Sequence, residues 1–279
     1  MTDRTDQSGA STKRNVCGVL IDAIEMDEAV GRVLERARGG QPYSISALAV
    51  HGVMTGVGDE AHRARLNQMD MVVPDGQPVR WALNLLYRAG LEERVFGPIL
   101  MLELCEAAAR EELPIYLYGS TPETLAELER KLTARFPGLE IAGHRPSRFG
   151  TLDREAKEKV AAEIKDSGAA MCFVGLGCPR QETFCWAMRD LVGVPVLAVG
   201  AAFDFNADLA RQAPAWMQRH GLQWLHRLAG DPRRLWRRYL LLNPAYVALL
   251  AGQALRLWRP RPSADPAVAG DPAATPTPG

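Results

Sequence analysis

The sequence predicts an α/β fold, a Rossmann-like, largely parallel doubly wound sheet with a C-terminal helical appendage. Two observations carry this prediction. Between about residues 16 and 203, short apolar runs of strand length alternate with longer amphipathic patterns, as strands and crossover helices do. Beyond about residue 210 the strand-like runs cease and only helical patterns continue. With 279 residues and 47% hydrophobic content, the chain has material for one domain with a sizeable core and a smaller appendage.

Residues 1–14 are polar, lack the apolar core of a signal peptide and are expected to be disordered. The body is expected to span 15–210. Its strands are read in VCGVLI (16–21), SISALAV (44–50), MVV (71–73), PIYLYG (114–119), LEIAG (139–143), AAMCFVGLG (169–177) and PVLAVGAAF (195–203). Helical patterns fill 26–38, 59–68, 77–88, 99–112, 122–135, 153–166 and 180–191. Pro122 after Ser120-Thr121 marks a helix start, and Phe136-Pro137-Gly138 a stop. The appendage, 211–258, breaks into helical pieces at 214–219, 222–229, 232–242 and 245–258, with Asp231-Pro232 and Asn243-Pro244 read as caps followed by first-turn prolines. Residues 259–279, mostly Pro, Ala, Gly and Thr, are expected to form a disordered tail.

A formal net charge of zero conceals an uneven distribution. Residues 211–261 hold ten Arg, no Lys and one acid, Asp231, a net +9; residues 1–210 hold 23 basic residues and 30 acids, a net −7. In the segment from Asp231, Arg233, Arg234, Arg237 and Arg238 fall within about 140° of a helical wheel, opposite Leu235, Trp236, Tyr239, Leu240 and Leu242. A merely solvated face would mix in Lys and acids. Arginine alone suits phosphate contacts or an anionic lipid surface. The late apolar stretch from Tyr246 is too short for a spanning helix of about 20 residues, so the chain is not expected to cross a membrane. The five cysteines (Cys17, Cys105, Cys172, Cys178, Cys185) contain no CxxC pair and read as reduced, packed thiols.

Open α/β sheets bind ligands outside the carboxyl ends of their strands. There the sequence places Asp75, followed by Gly76; Gly119, Ser120 and Thr121; and Gly175, Gly177 and Gln181-Glu182. Taken alone, each is as well explained by the needs of a tight strand-to-helix turn. Asp75 reads equally as a helix cap or as a general base. The loops match neither the P-loop nor the GxGxxG fingerprint. The five histidines (His51, His62, His144, His220, His226) form no HExxH or Cys/His motif, and there is no DxD triplet, so no metal is expected.

Together, VVPDGQPVRW, ERVFGPILMLELCEAA, PIYLYGSTPE, FPGLEIAG, FVGLGCPRQE, VGAAFDF, APAWMQRHGLQWLHRL and DPRRLWRRYLLLNP resemble, in order and over about 16–250, the WecG/TagA/CpsF family of bacterial glycosyltransferases (glycosyltransferase family 26). The resemblance implies sugar transfer from a nucleotide-sugar to a polyprenyl-diphosphate-linked glycan, without cofactor or metal. It places the protein peripherally at the inner, anionic face of the cytoplasmic membrane. It puts Asp75 on the catalytic base, Gln181 near the sugar-nucleotide, and Arg227, Arg234 and Arg237 on arginines that hold diphosphate. One departure stands out. Where many members carry a Thr, often beside an Asn, this chain has Ala47, Leu48 and Ala49, and His51 is the nearest polar replacement. Two other readings remain at this level, a dinucleotide-dependent oxidoreductase and a non-catalytic membrane adaptor. Nucleic acid is not an expected partner, and the sequence leaves a homo-oligomeric state open.

Overall fold

The computed structural model describes residues 12–147 and 152–270, the side chains of Arg234 and Arg238 excepted. In chain order the elements are β1 (Lys13–Val16), β2 (Val19–Asp22), α1 (Met26–Arg38), β3 (Tyr43–Leu48), α2 (Val50–Gly58), α3 (Glu60–Gln68), β4 (Met71–Pro74), α4 (Gln77–Tyr87), α5 (Gly97–Glu111), β5 (Ile115–Tyr118), α6 (Pro122–Arg135), β6 (Ile141–Arg145), α7 (Arg154–Asp166), β7 (Met171–Val174), α8 (Arg180–Val192), β8 (Pro195–Ala198), α9 (Ala202–Asn206), α10 (Ala215–Arg219), α11 (Gln223–Gly230), α12 (Pro232–Ala254) and α13 (Pro266–Ala269).

Six strands form one parallel sheet in the order β4-β3-β8-β7-β5-β6. Each strand alternates its side chains between two apolar layers, as a doubly covered sheet requires. On β5, Tyr116 and Tyr118 join the layer packed under α2, α3, α4, α7 and α8, while Ile115 and Leu117 join the layer under α1, α5, α6 and α9. The predicted α/β, Rossmann-like doubly wound fold is thus observed.

Four local expectations need correction. The apolar run 16–21 is not one strand but the turn of an antiparallel hairpin, β1–β2, separate from the main sheet. Cys17 and Gly18 take φ of 53° and 94°, the left-handed pair that a two-residue hairpin turn needs. The hairpin then covers the outer edge of β4, where the Asp22 carboxylate accepts the Val72 N–H at 2.8 Å. The expected strand 44–50 stops at Leu48, because α2 begins at Val50. Gly52 permits that start: a Cβ there would lie 2.2 Å from Leu48 Cδ1.

The third correction concerns α12, which runs through Pro244 as one 23-residue helix rather than breaking at Asn243-Pro244. Pro244 gives up one intrahelical bond, yet packing holds the helix on either side of it. Tyr246 is 2% exposed, lies in the body's core, and donates from its hydroxyl to Pro78 O at 3.1 Å. Further along, the Gln253 side chain accepts from Cys17 N and donates to Asn15 O. Fourth, residues 259–270 are not a loose tail. They turn back over the hairpin and α3, where Asn15 donates to Pro260 O, Asn67 to Ser263 O and Arg65 to Ala269 O. At the other end, residues 12–14 belong to the hairpin strand and its approach. The remainder of both expected disordered ends, 1–11 and 271–279, lies outside the described residues.

Candidate active site

A cavity of about 620 Å³ opens at the carboxyl ends of the strands, and every strand of the main sheet contributes to its wall through the residues at or after its end. Ala47–Ala49 follow from β3, Asp75 from β4, Ser120 and Thr121 from β5, Ser147 from the segment after β6, Gly175–Cys178 from β7, and Val199–Ala202 from β8. A smaller cavity of about 100 Å³ adjoins it beneath the appendage. Asp75, Ala49, Phe96 and Arg227 line both.

Asp75 does not cap the helix that follows it. Gly76 holds the N-cap position of α4, without a side-chain bond to the helix. Instead Asp75 Oδ1 accepts the Gly97 N–H at 2.7 Å, at the start of α5, while its own N–H donates to Leu48 O. The bond to Leu48 fixes the backbone of Asp75 and the bond from Gly97 orients its carboxylate. Pre-orientation of this kind suits a group that must meet a substrate hydroxyl in one geometry.

Arg94 is the main residue that the sequence reading missed. Its guanidinium stacks on Phe96 with Cζ 4.0 Å from the ring centroid, and donates to Gln223 Oε1 at 2.7 Å and Gln218 Oε1 at 3.1 Å. A longer contact of 3.4 Å reaches the Asp75 carbonyl oxygen. Burial pulls its pKa down from the usual arginine value, and the nearby Asp75 carboxylate opposes this. Arg94 thus links the Asp75 loop to α10 and α11. Its signal was a charge directly before the apolar stretch VFGPILML, and Asp204, a charge within VGAAFDF, is a missed wall residue of the larger cavity.

Of the predicted arginines, Arg227 reaches the site. It projects from α11 into both cavity walls, with Cζ 5.5 Å from the Phe205 ring centroid. Arg237 does not. It is exposed on α12, over the ring of Trp236, and lines neither cavity. The side chain of Arg234 lies outside those described. Arg180, in the first turn of α8, adds a cationic group to the larger cavity that was not anticipated.

Gln181 is 3% exposed and acts within the wall. Its Oε1 accepts the Gly177 N–H at 3.1 Å and its Nε2 donates to Glu182 Oε1 at 2.9 Å, so it fixes the loop after β7. Burial raises the Glu182 carboxyl above its usual range, against hydrogen bonds from Gln181, its own backbone, Cys178 and Ser46. Gly177 and Ser120 line the cavity, with left-handed φ of 76° and 64°. Gly119 stands just behind the wall, where a Cβ would meet Leu176 at 2.8 Å and the Gly175 backbone at 3.1 Å. Thr121 caps α6 by accepting the Thr124 N–H. Ala47, Leu48 and Ala49 leave their part of the wall without side-chain polar groups, as the sequence implied. His51 does not replace them. It sits on α2 in the smaller cavity, with Nδ1 3.4 Å from Thr55 Oγ1.

The chain is similar to known proteins over most of its length. A family model described as Glycosyl transferase WecG/TagA/CpsF family matches residues 14–260. The N-acetylglucosaminyldiphosphoundecaprenol N-acetyl-beta-D-mannosaminyltransferase of Bacillus spizizenii is 33% identical over 187 residues, covering 67% of this chain and 70% of that protein.

Proposed function

Since the chain belongs to the WecG/TagA/CpsF family of glycosyl transferases, we propose that it transfers a sugar from a UDP-linked donor to a polyprenyl-diphosphate-linked glycan during synthesis of a cell-surface polysaccharide. The observation that carries this reading is the convergence of Asp75 and Arg227 on both cavities, one from the sheet and the other from the appendage. The name of the Bacillus spizizenii relative, with its diphosphoundecaprenol acceptor, supports the lipid-diphosphate part.

In the proposed reaction the acceptor hydroxyl oxygen attacks the anomeric carbon and its proton passes to the Asp75 carboxylate. The bond from that carbon to the phosphate oxygen breaks, and the nucleoside diphosphate leaves with the electron pair. Arg227 offsets the developing negative charge, and Arg180 stands on the same wall. Gln181 and Gly177 shape the donor's seat. The arginines occupy the role that a divalent ion plays elsewhere, so transfer is expected to need no Mg²⁺ or Mn²⁺. The test is a screen of UDP-sugars with a short polyprenyl-diphosphate glycan in metal-depleted buffer. Product formation that is unchanged by added Mg²⁺ or Mn²⁺ is the expected result. Absence of transfer from every donor would overturn the substrate reading, and a rise above about tenfold on adding either ion would overturn the arginine mechanism.

Peripheral membrane association forms part of the proposal. Among the described residues no helix is long and apolar enough to cross a membrane. The apolar residues of α12 are divided: Leu235 and Tyr239 pack inward, while Trp236, Leu240 and, on the arginine side, Leu241 are exposed. Trp216 and Leu225, on α10 and α11, are exposed as well. Arg233 and Arg237 stand exposed on the same helix as Trp236. Apolar groups beside arginines suit an anionic bilayer surface, where each cation contributes about 1 kcal/mol. Trp236→Ser with Leu240→Ser is expected to lower binding to anionic vesicles by at least about tenfold in flotation, since each exposed side chain contributes roughly 1.5–3 kcal/mol when buried. Transfer to a soluble acceptor analogue should persist. Vesicle binding equal to that of the unmodified protein would remove this surface from the membrane reading.

A further inference from the structure

We propose that His62, Cys178 and Glu182 hold a Zn²⁺-type divalent metal ion against the wall of the larger cavity. One ligand atom from each lies within 4.8 Å of the other two. His62 and Glu182 are each 1% exposed. Both ring nitrogens of His62 and Oε2 of Glu182 are buried without a hydrogen-bond partner. Buried polar atoms of native proteins are nearly always paired, so an imidazole and a carboxylate oxygen left unmet beside a thiol point to something that fills the space between them.

The donor set indicates what that is. One imidazole nitrogen, one sulfur and one carboxylate oxygen suit Zn²⁺, whereas Mg²⁺ and Ca²⁺ favour oxygen alone. A thiolate and a carboxylate would together neutralise the ion, leaving a buried cluster without net charge. Zinc bonds of about 2.0–2.3 Å place tetrahedral ligand atoms roughly 3–4 Å apart, so closing the site from its present spacing needs about 1 Å of side-chain adjustment. Thr55 Oγ1, 4.0 Å from Cys178 Sγ, stands nearby as a fourth ligand, and a water would serve equally.

The three residues come from α3, from the loop after β7 and from α8. An ion there would clasp the cavity's β7 loop to α3, holding Gly177 and Gln181 in place. Such a role is positional, and the sugar transfer proposed above takes no step through it.

The experiment uses the full-length protein as purified, with Zn²⁺ and then Co²⁺ as probes. Elemental analysis after gel filtration should find about one Zn²⁺ per chain. The cobalt form should show a thiolate-to-cobalt charge-transfer band in the near ultraviolet. Cys178→Ser should abolish that band, and His62→Gln should weaken Co²⁺ binding at least about tenfold. Folded protein that takes up neither ion would overturn the site, leaving ordered water as the occupant. A cobalt spectrum without the charge-transfer band, or a band that survives Cys178→Ser, would overturn it equally. Should His62→Gln not fold, the spectra of the unmodified protein and of Cys178→Ser still decide.

Discussion

Asp75→Asn should lower sugar transfer by about 10²–10⁴-fold, the usual cost of removing a general base, while the protein stays folded and keeps its donor affinity. The amide has the carboxylate's shape, and its oxygen can still accept the Gly97 N–H that orients Asp75. What it cannot do is take a proton from the acceptor. The measurement is turnover under saturating donor, alongside a thermal unfolding curve and a donor-binding titration. Near-normal turnover would reduce Asp75 to a strut between β4 and α5. Loss of folding would show that the bond to Gly97 depends on the charge.

Arg227→Ala should cost about 10²–10³ in kcat/KM, the range found when a group stabilising transition-state charge is removed. Arg227→Lys should recover part of this, since a point charge replaces the guanidinium fork imperfectly. Vesicle binding should change little, because Arg227 faces the cavities. Retention of more than about a third of the activity would move leaving-group stabilisation elsewhere, with Arg180 the next residue to test. Point variants are the right instrument here, because deleting the appendage would also remove Tyr246 from the core and Gln253 from the hairpin turn.

The architecture was legible because β5, β7 and β8 are buried on both faces and so appear as continuous apolar runs. Local geometry was less so. Gly52, Gly56 and Gly58 disguised α2, since glycine disfavours helices and only its fit beneath Leu48 explains Gly52 there. Asn243-Pro244 looked like a helix start, yet Tyr246 anchors a helix that passes through it. Asp75 and Arg227 were visible through motif order. Arg94 was not, because its partners Gln218 and Gln223 lie more than a hundred residues away. The cluster of His62, Cys178 and Glu182 was hidden for the same reason, as no local spacing joins α3 to α8.

The order of the sheet also bears on how the chain is made. Strand β3 is an interior strand, held by β4 on one side and by β8 on the other. While β4 follows it closely, β8 begins at Pro195, about 150 residues later. A growing chain therefore carries β3 with one row of amides and carbonyls unpaired, beside apolar side chains awaiting the second half of the sheet. At about 5–20 residues per second of synthesis, that edge stays open for roughly 7–30 s.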